Sequence, residues 1–275
     1  MTQPTIEFGH GSLVTVNGVQ LYHEVHGSGR PLILLHGGLM SGETMAGLVA
    51  ELAASHTVIL PDLQGHGRTP DVPGRPLDVR LMADDILALI DHLGLDRPDL
   101  VGYSLGGGVA MQVAFKRPDR VGRLVACSTN IRRDAIYPEM LGQQEQVSAA
   151  AAEFMKETPM WELYERVAPR PEDFPTVLDK IGEAMRQDFD FSDQVRALQV
   201  PTLIVCGDSD MAPPSHYVEI FGLLGGGQRD GGWMGEGRPA GGHQLLVLPG
   251  RTHYDASESA LFAAAVLAFL EGAAA

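Results

Sequence analysis

The sequence predicts an α/β protein: a mostly parallel eight-stranded sheet, helices on both faces, and a helical lid inserted after the sixth strand. Three observations carry this. Short, continuously apolar runs such as Leu32–Leu35 and Thr202–Cys206 alternate with stretches of helical periodicity, the pattern of strands buried on both faces. An alternating hairpin precedes them, its turn marked by Asn17-Gly18. Between Ile131 and about Leu198 the strand rhythm stops altogether.

In chain order, Leu13 to Val25 forms the hairpin, and Leu32–Leu35 is the first buried strand, ending at His36-Gly37-Gly38. Glu43 to Ala54 reads as a helix and Thr57–Leu60 as a strand. A glycine-punctuated loop (Pro61 to Thr69) follows. Asp78 to Leu93 repeats apolar residues at helical spacing and is closed by Gly94. The run at Leu100-Val101 stops at Gly102-Tyr103-Ser104-Leu105-Gly106, after which a helix reaches Lys116. Val121–Cys127 is the sixth strand. Thr202–Cys206 and Gln244–Leu248 complete the sheet, and an apolar helix spans about Ala256 to Leu270. Strands alternating with helices in this way imply right-handed crossovers. The expected domains are a core of residues 1–130 and 199–275 and a lid of residues 131–198. Gly222 to Gly242, thick with glycine, reads as a surface excursion rather than a phosphate loop, because no G-x-x-x-x-G-K-[S/T] is present.

With 275 residues, 44% hydrophobic and 20% charged, the chain can bury a sizeable core. A formal net charge of -15 disfavours nucleic acid and anionic membrane as partners. No secretory signal and no apolar run of membrane-spanning length is visible, so a cytoplasmic location is expected. Cys127 and Cys206 each sit in an apolar run and read as buried, reduced thiols. No His/Cys/Asp cluster has metal-ligand spacing, so neither metal nor cofactor is expected.

G-x-S-x-G between a strand and a helix is the context in which a serine is held on a tight turn with its hydroxyl outward. Small residues at 102 and 106 let strand and helix approach without a Cβ clash. Three further stretches follow strands: His36-Gly37-Gly38, Gly207-Asp-Ser-Asp210 and Gly250-Arg-Thr-His253. Ligands bind at the carboxyl ends of strands in open parallel sheets. With these four elements in this order, the sequence resembles the α/β-hydrolase fold family from about Gln20 to Leu270.

The resemblance implies a catalytic triad with Ser104 as nucleophile, His253 as base and Asp210 as the acid, with Asp208 as the rival acid. It also implies an oxyanion hole from the backbone N–H groups of Gly38 and Leu105, the glycines at 37 and 38 supplying unusual backbone angles. His36 and His66 are expected to order their own loops. Substrate contacts are expected from Leu39, Met40, Tyr103, Met140, Trp161 and Met211, within an apolar chamber formed partly by the Met- and aromatic-rich lid. The implied activity is hydrolysis of a small-to-medium, largely apolar carboxylic ester or lactone through an acyl-enzyme, by a monomer or homodimer. Perhydrolases, haloperoxidases and carbon–carbon bond hydrolases share the triad, and a small-molecule receptor shares the fold, so these alternatives stay open. Epoxide hydrolases and haloalkane dehalogenases are disfavoured, since they use an aspartate where this chain has Ser104.

Overall fold

The structure, a computed structural model, describes residues 6–237 and 241–272. Eight strands form one sheet: β1 (Ser12–Val16), β2 (Val19–His26), β3 (Arg30–Leu35), β4 (His56–Pro61), β5 (Asp99–Tyr103), β6 (Leu124–Cys127), β7 (Thr202–Ser209) and β8 (Gln244–Thr252). Their order is β1-β2-β4-β3-β5-β6-β7-β8. The β1–β2 and β2–β4 pairs are antiparallel and every later pair is parallel. The β1–β2 turn forms as expected, with Asn17 and Gly18 both at positive φ (48° and 82°).

Strand residues alternate between two apolar layers. Ile33, Leu35, Leu100, Leu124, Ala126, Ile204 and Cys206 enter the layer covered by α2 (Val79–His92), α3 (Leu105–Lys116) and α9 (Pro214–Leu223). Leu32, Leu34, Val101, Tyr103, Val125, Cys127, Leu203 and Val205 face α1 (Ala46–Leu52) and α10 (Ala260–Leu270) on the other side. Both faces of each central strand are therefore buried, which is why these runs are apolar throughout. Both cysteines are buried free thiols.

Between β6 and β7 lie α4 (Pro138–Gln144), α5 (Ala152–Met155), α6 (Pro159–Val167), α7 (Phe174–Arg186) and α8 (Ser192–Ala197). This excursion leaves the core through a narrow neck. Phe191 N–H donates to the Ile131 carbonyl at 2.8 Å, Arg133 N–H donates to the Phe189 carbonyl at 3.1 Å, and Arg132 and Asp190 form an isolated bridge. Beyond the neck, α8 packs on α9 and buries Val195 in the core layer. Lys180 on α7 reaches the loop after β4, where its ammonium meets Asp71 Oδ2 at 2.5 Å and the Val72 carbonyl at 2.8 Å.

Several boundaries differ from the sequence reading. β6 starts at Leu124 rather than Val121, because Gly122 still belongs to a turn whose N–H donates to the Pro98 carbonyl. The segment after Tyr254 opens with a 3-10 turn (Ala256–Glu258) before α10. β7 and β8 run past the expected ends, and a register shift between Gly207 and Ser209 lets Ser209 pair with Thr252. Of the Gly222–Gly242 stretch, residues 238–240 lie outside the described residues; the rest carries a turn closed by Gly237 N–H on the Gly231 carbonyl, with Trp233 fully exposed.

Candidate active site

Ser104 occupies the one residue between β5 and α3, at φ 52° and ψ -116°. Such a conformation is strained for a residue with a Cβ and persists only where the surroundings enforce it. Here its N–H donates to the Cys127 carbonyl on β6 at 2.8 Å, and its carbonyl accepts from Gly108 N–H at 3.1 Å. The flanking glycines are required by proximity. A Cβ on Gly106 would lie 2.6 Å from the His36 carbonyl oxygen, and one on Gly102 would lie 2.6 Å from Gly107 Cα.

His253 follows β8, and Asp210 follows β7. Ser104 Oγ and His253 Nε2 are 3.0 Å apart, and His253 Nδ1 and Asp210 Oδ1 are 2.8 Å apart. A carboxylate can only accept, so Nδ1 carries the proton and Nε2 is left to accept from the serine hydroxyl. The Asp210 side chain is fully buried and that of His253 is 7% exposed. Burial pushes the Asp210 carboxyl up. The hydrogen bond and charge of His253, with further donors from Ser128 and Met211 N–H, outweigh that and hold it below the usual carboxylate value. Four donors surround this carboxylate: His253 and Met211 N–H (2.8 Å) on Oδ1, Ser128 Oγ (2.7 Å) and Gly207 N–H (3.2 Å) on Oδ2. Asp208, by contrast, is exposed and accepts from Gly250 N–H at 2.8 Å.

The loop after β3 is fixed by His36. Leu63 N–H donates to its Nε2 at 3.0 Å, so Nδ1 holds the proton and donates to the Gly37 carbonyl at 2.7 Å. Burial drives the His36 pKa down to about 4, keeping the ring neutral. His66 is likewise buried, with Nδ1 at 2.8 Å from the Gln64 carbonyl; burial, then the neighbouring His36, lower it to about 3. The unusual backbone angle expected at Gly37 and Gly38 falls instead on Leu39, at φ 55°. Gly37 is needed for space, since a Cβ there would sit 2.9 Å from Met40 Sδ and 3.0 Å from the Tyr103 ring. Gly38 lies in this loop and Leu105 is the first residue of α3, whose N-terminus packs against the end of β3 at Gly106.

The expected substrate contacts divide. Leu39 and Met40 are half-buried beside the β3 loop. Tyr103 does not face an open chamber: it is 3% exposed, and its hydroxyl donates to the His253 carbonyl, so the ring braces the histidine's main chain. Met211 supports the acid through its N–H, while its carbonyl accepts from Tyr137 N–H at 3.0 Å. Met140 is half-buried on α4. Trp161 packs inside the insertion, its ring centroid 5.0 Å from Phe174 and 6.5 Å from Tyr164. Sequence reasoning missed Ser128; its only signal was a small polar residue immediately after a buried strand. Among the described residues no group of three or more His, Cys, Asp or Glu could hold a metal ion, and no helix is long and apolar enough to cross a membrane.

A strand-end serine bonded to a histidine, itself bonded to a buried carboxylate, on a mostly parallel sheet, defines a class of hydrolytic α/β proteins. The profile of the alpha/beta hydrolase fold matches residues 30–223, and the chain belongs to that family. It spans only about a third to two-fifths of the length of the first curated relatives it matches. One is a soluble epoxide hydrolase of Corynebacterium, 39% identical over 109 residues, 40% of this chain and 38% of that protein. A protein named as a carbamate hydrolase in Rhizobium rhizogenes is 31% identical over 219 residues, 70% of this chain and 81% of the relative. A solved hydrolase from Pseudomonas aeruginosa superposes with a TM-score of 0.71 at 26% identity, covering 97% of this chain and all of that one.

Proposed function

We propose that the chain is a serine hydrolase acting on a small-to-medium, largely apolar carboxylic ester or lactone. The observation that carries this is the unbroken chain Ser104 Oγ–His253–Asp210, with every Asp210 oxygen supplied with donors. A neutral hydroxyl is a weak nucleophile, so His253 Nε2 takes the Ser104 proton as Oγ attacks the carbonyl carbon. Asp210 stabilises the imidazolium. The developing oxyanion is held by Gly38 N–H and Leu105 N–H, each such donor being worth roughly 3 kcal/mol in the transition state. Collapse expels the alcohol with the proton from His253. Water, deprotonated by the same ring, then hydrolyses the acyl-enzyme and restores Ser104. The part of the 131–198 stretch that lies between the neck residues Ile131 and Phe191 acts as the lid over this reaction, with no metal or cofactor taking part.

A second reading is carbamate cleavage, favoured by the Rhizobium relative, in which the same attack falls on a carbamoyl carbon. Epoxide opening is not proposed, since Ser104 stands where those enzymes use an aspartate.

Incubation with a serine-directed phosphonate and short p-nitrophenyl esters, alongside Ser104→Ala, tests the proposal. Stoichiometric labelling and multiple turnovers in the wild type, both lost in the variant, are expected. Turnover surviving in Ser104→Ala overturns the mechanism. Faster turnover of p-nitrophenyl carbamates than of esters of equal size selects the second reading.

A further inference from the structure

β5 and β6 run side by side in register, with Tyr103 opposite Cys127. The next residue on each strand is a serine, and both serines hold left-handed backbone angles: Ser104 at φ 52° and Ser128 at φ 54°. Ser128 is 2% exposed, and its N–H donates to the Val205 carbonyl at 2.8 Å, extending the β6–β7 ladder by one residue. This aims its hydroxyl at Asp210 Oδ2, 2.7 Å away. The carboxylate's other oxygen faces His253. We propose that Ser128 is a positioning residue of the reaction: its hydroxyl fixes the far oxygen of Asp210, and through that carboxylate it sets the orientation and basicity of His253.

The proposal rests on the serine-hydrolase reading above. Its physical basis is direct. Without Ser128, Oδ2 loses its shortest hydrogen bond and keeps the longer 3.2 Å one from Gly207 N–H, in a buried site beside the Tyr217 hydroxyl. More negative charge then remains on the carboxylate facing the imidazolium, which holds its proton to higher pH. The other groups around the pair are Cys127 on β6, Cys206 and Asp208 on β7, Tyr217 on α9, Tyr103 on β5 and Tyr254 after β8. Burial holds Cys127, Tyr103 and Tyr217 well above their ordinary values and pushes Cys206 up to about 12, so these four stay neutral across the range of the test.

The experiment is an NMR titration of 15N-labelled histidine at His253 in the wild type, Ser128→Ala and Ser128→Gly, with kcat/KM followed against pH. Glycine accepts the φ of 54° without strain, so the glycine variant removes the hydroxyl while relieving the backbone. In both variants the His253 midpoint and the acid limb of kcat/KM should rise by about half to one pH unit, with kcat about three- to tenfold lower. A Ser128→Gly protein whose His253 midpoint is unchanged overturns the proposal and leaves Ser128 a strand-end residue. The titration needs no substrate. It therefore decides the role of Ser128 even where the wild type fails to react with phosphonate or ester, an outcome that defeats the hydrolase reading on its own.

Discussion

Asp208 and Asp210 stand two residues apart, and their surroundings divide their roles. One is exposed on Gly250; the other is buried among four donors. Asp210→Asn should lower kcat/KM by about 10³–10⁴-fold, because an amide neither stabilises the imidazolium nor fixes the tautomer. Asp208→Asn should stay within about twofold; steady-state ester hydrolysis compares them. Gly106→Ala should destabilise the fold by about 2–4 kcal/mol in urea unfolding, since its Cβ meets backbone that cannot swing aside. Ser104 and His253 were readable in the sequence because each follows a recognisable strand end, whereas the choice of Asp210 over Asp208 came from the resemblance to the α/β-hydrolase family and not from local spacing. Ser128 and the bracing role of Tyr103 were not readable. They depend on which strands lie side by side and in what register, which no local pattern states.

At the scale of elements, the helical block between β6 and β7 was legible from the loss of strand rhythm, but its attachment was not. Lys180 and Asp71 are far apart in sequence, and only folding shows that their pair is nearly buried, at 13% and 3% side-chain exposure. Arg170 adds a bond to the Asp71 carbonyl at 2.7 Å, and Arg166 on α6 reaches Glu43 near the β3 loop. Two elements of the insertion are thus fastened to two loops of the core. Removing one partner of a buried ion pair strands the other charge, at a cost of about 3–5 kcal/mol. Lys180→Met should therefore loosen α6 and α7 first, seen as faster amide hydrogen exchange there while β5 and α3 keep their protection. The neck at Ile131 and Phe191 was equally invisible in the sequence, and it moves the end of the excursion ahead of α8.

For the molecule as a whole, buried neutral histidines set the response to acid. His36 and His66 titrate at about 4 and about 3 when folded, against 6.5 for the free side chain. Between pH 6.5 and 4 the unfolded chain takes up protons that the folded chain refuses, so stability falls as pH falls. Asp62 opposes this. Burial, only partly offset by Arg68 and Gly42 N–H, raises it to about 6, so the folded chain binds its proton first. Burial lowers His23, His216 and His243 in the same sense and raises Asp85 and Asp99 against it. Five histidines outweigh three carboxyls, and the melting temperature should drop by several degrees between pH 7 and 5. His66→Asn, whose amide can still serve the Gln64 carbonyl, should narrow that drop. The glycine-rich stretch was recognised from composition, and the full exposure of Trp233 within it has a practical consequence. The chain has two tryptophans, and the second, Trp161, is stacked inside the insertion. A small collisional quencher such as acrylamide should extinguish the emission of Trp233 first. The residual fluorescence then belongs to Trp161 alone, an intrinsic optical reporter of insertion movement that needs no added dye.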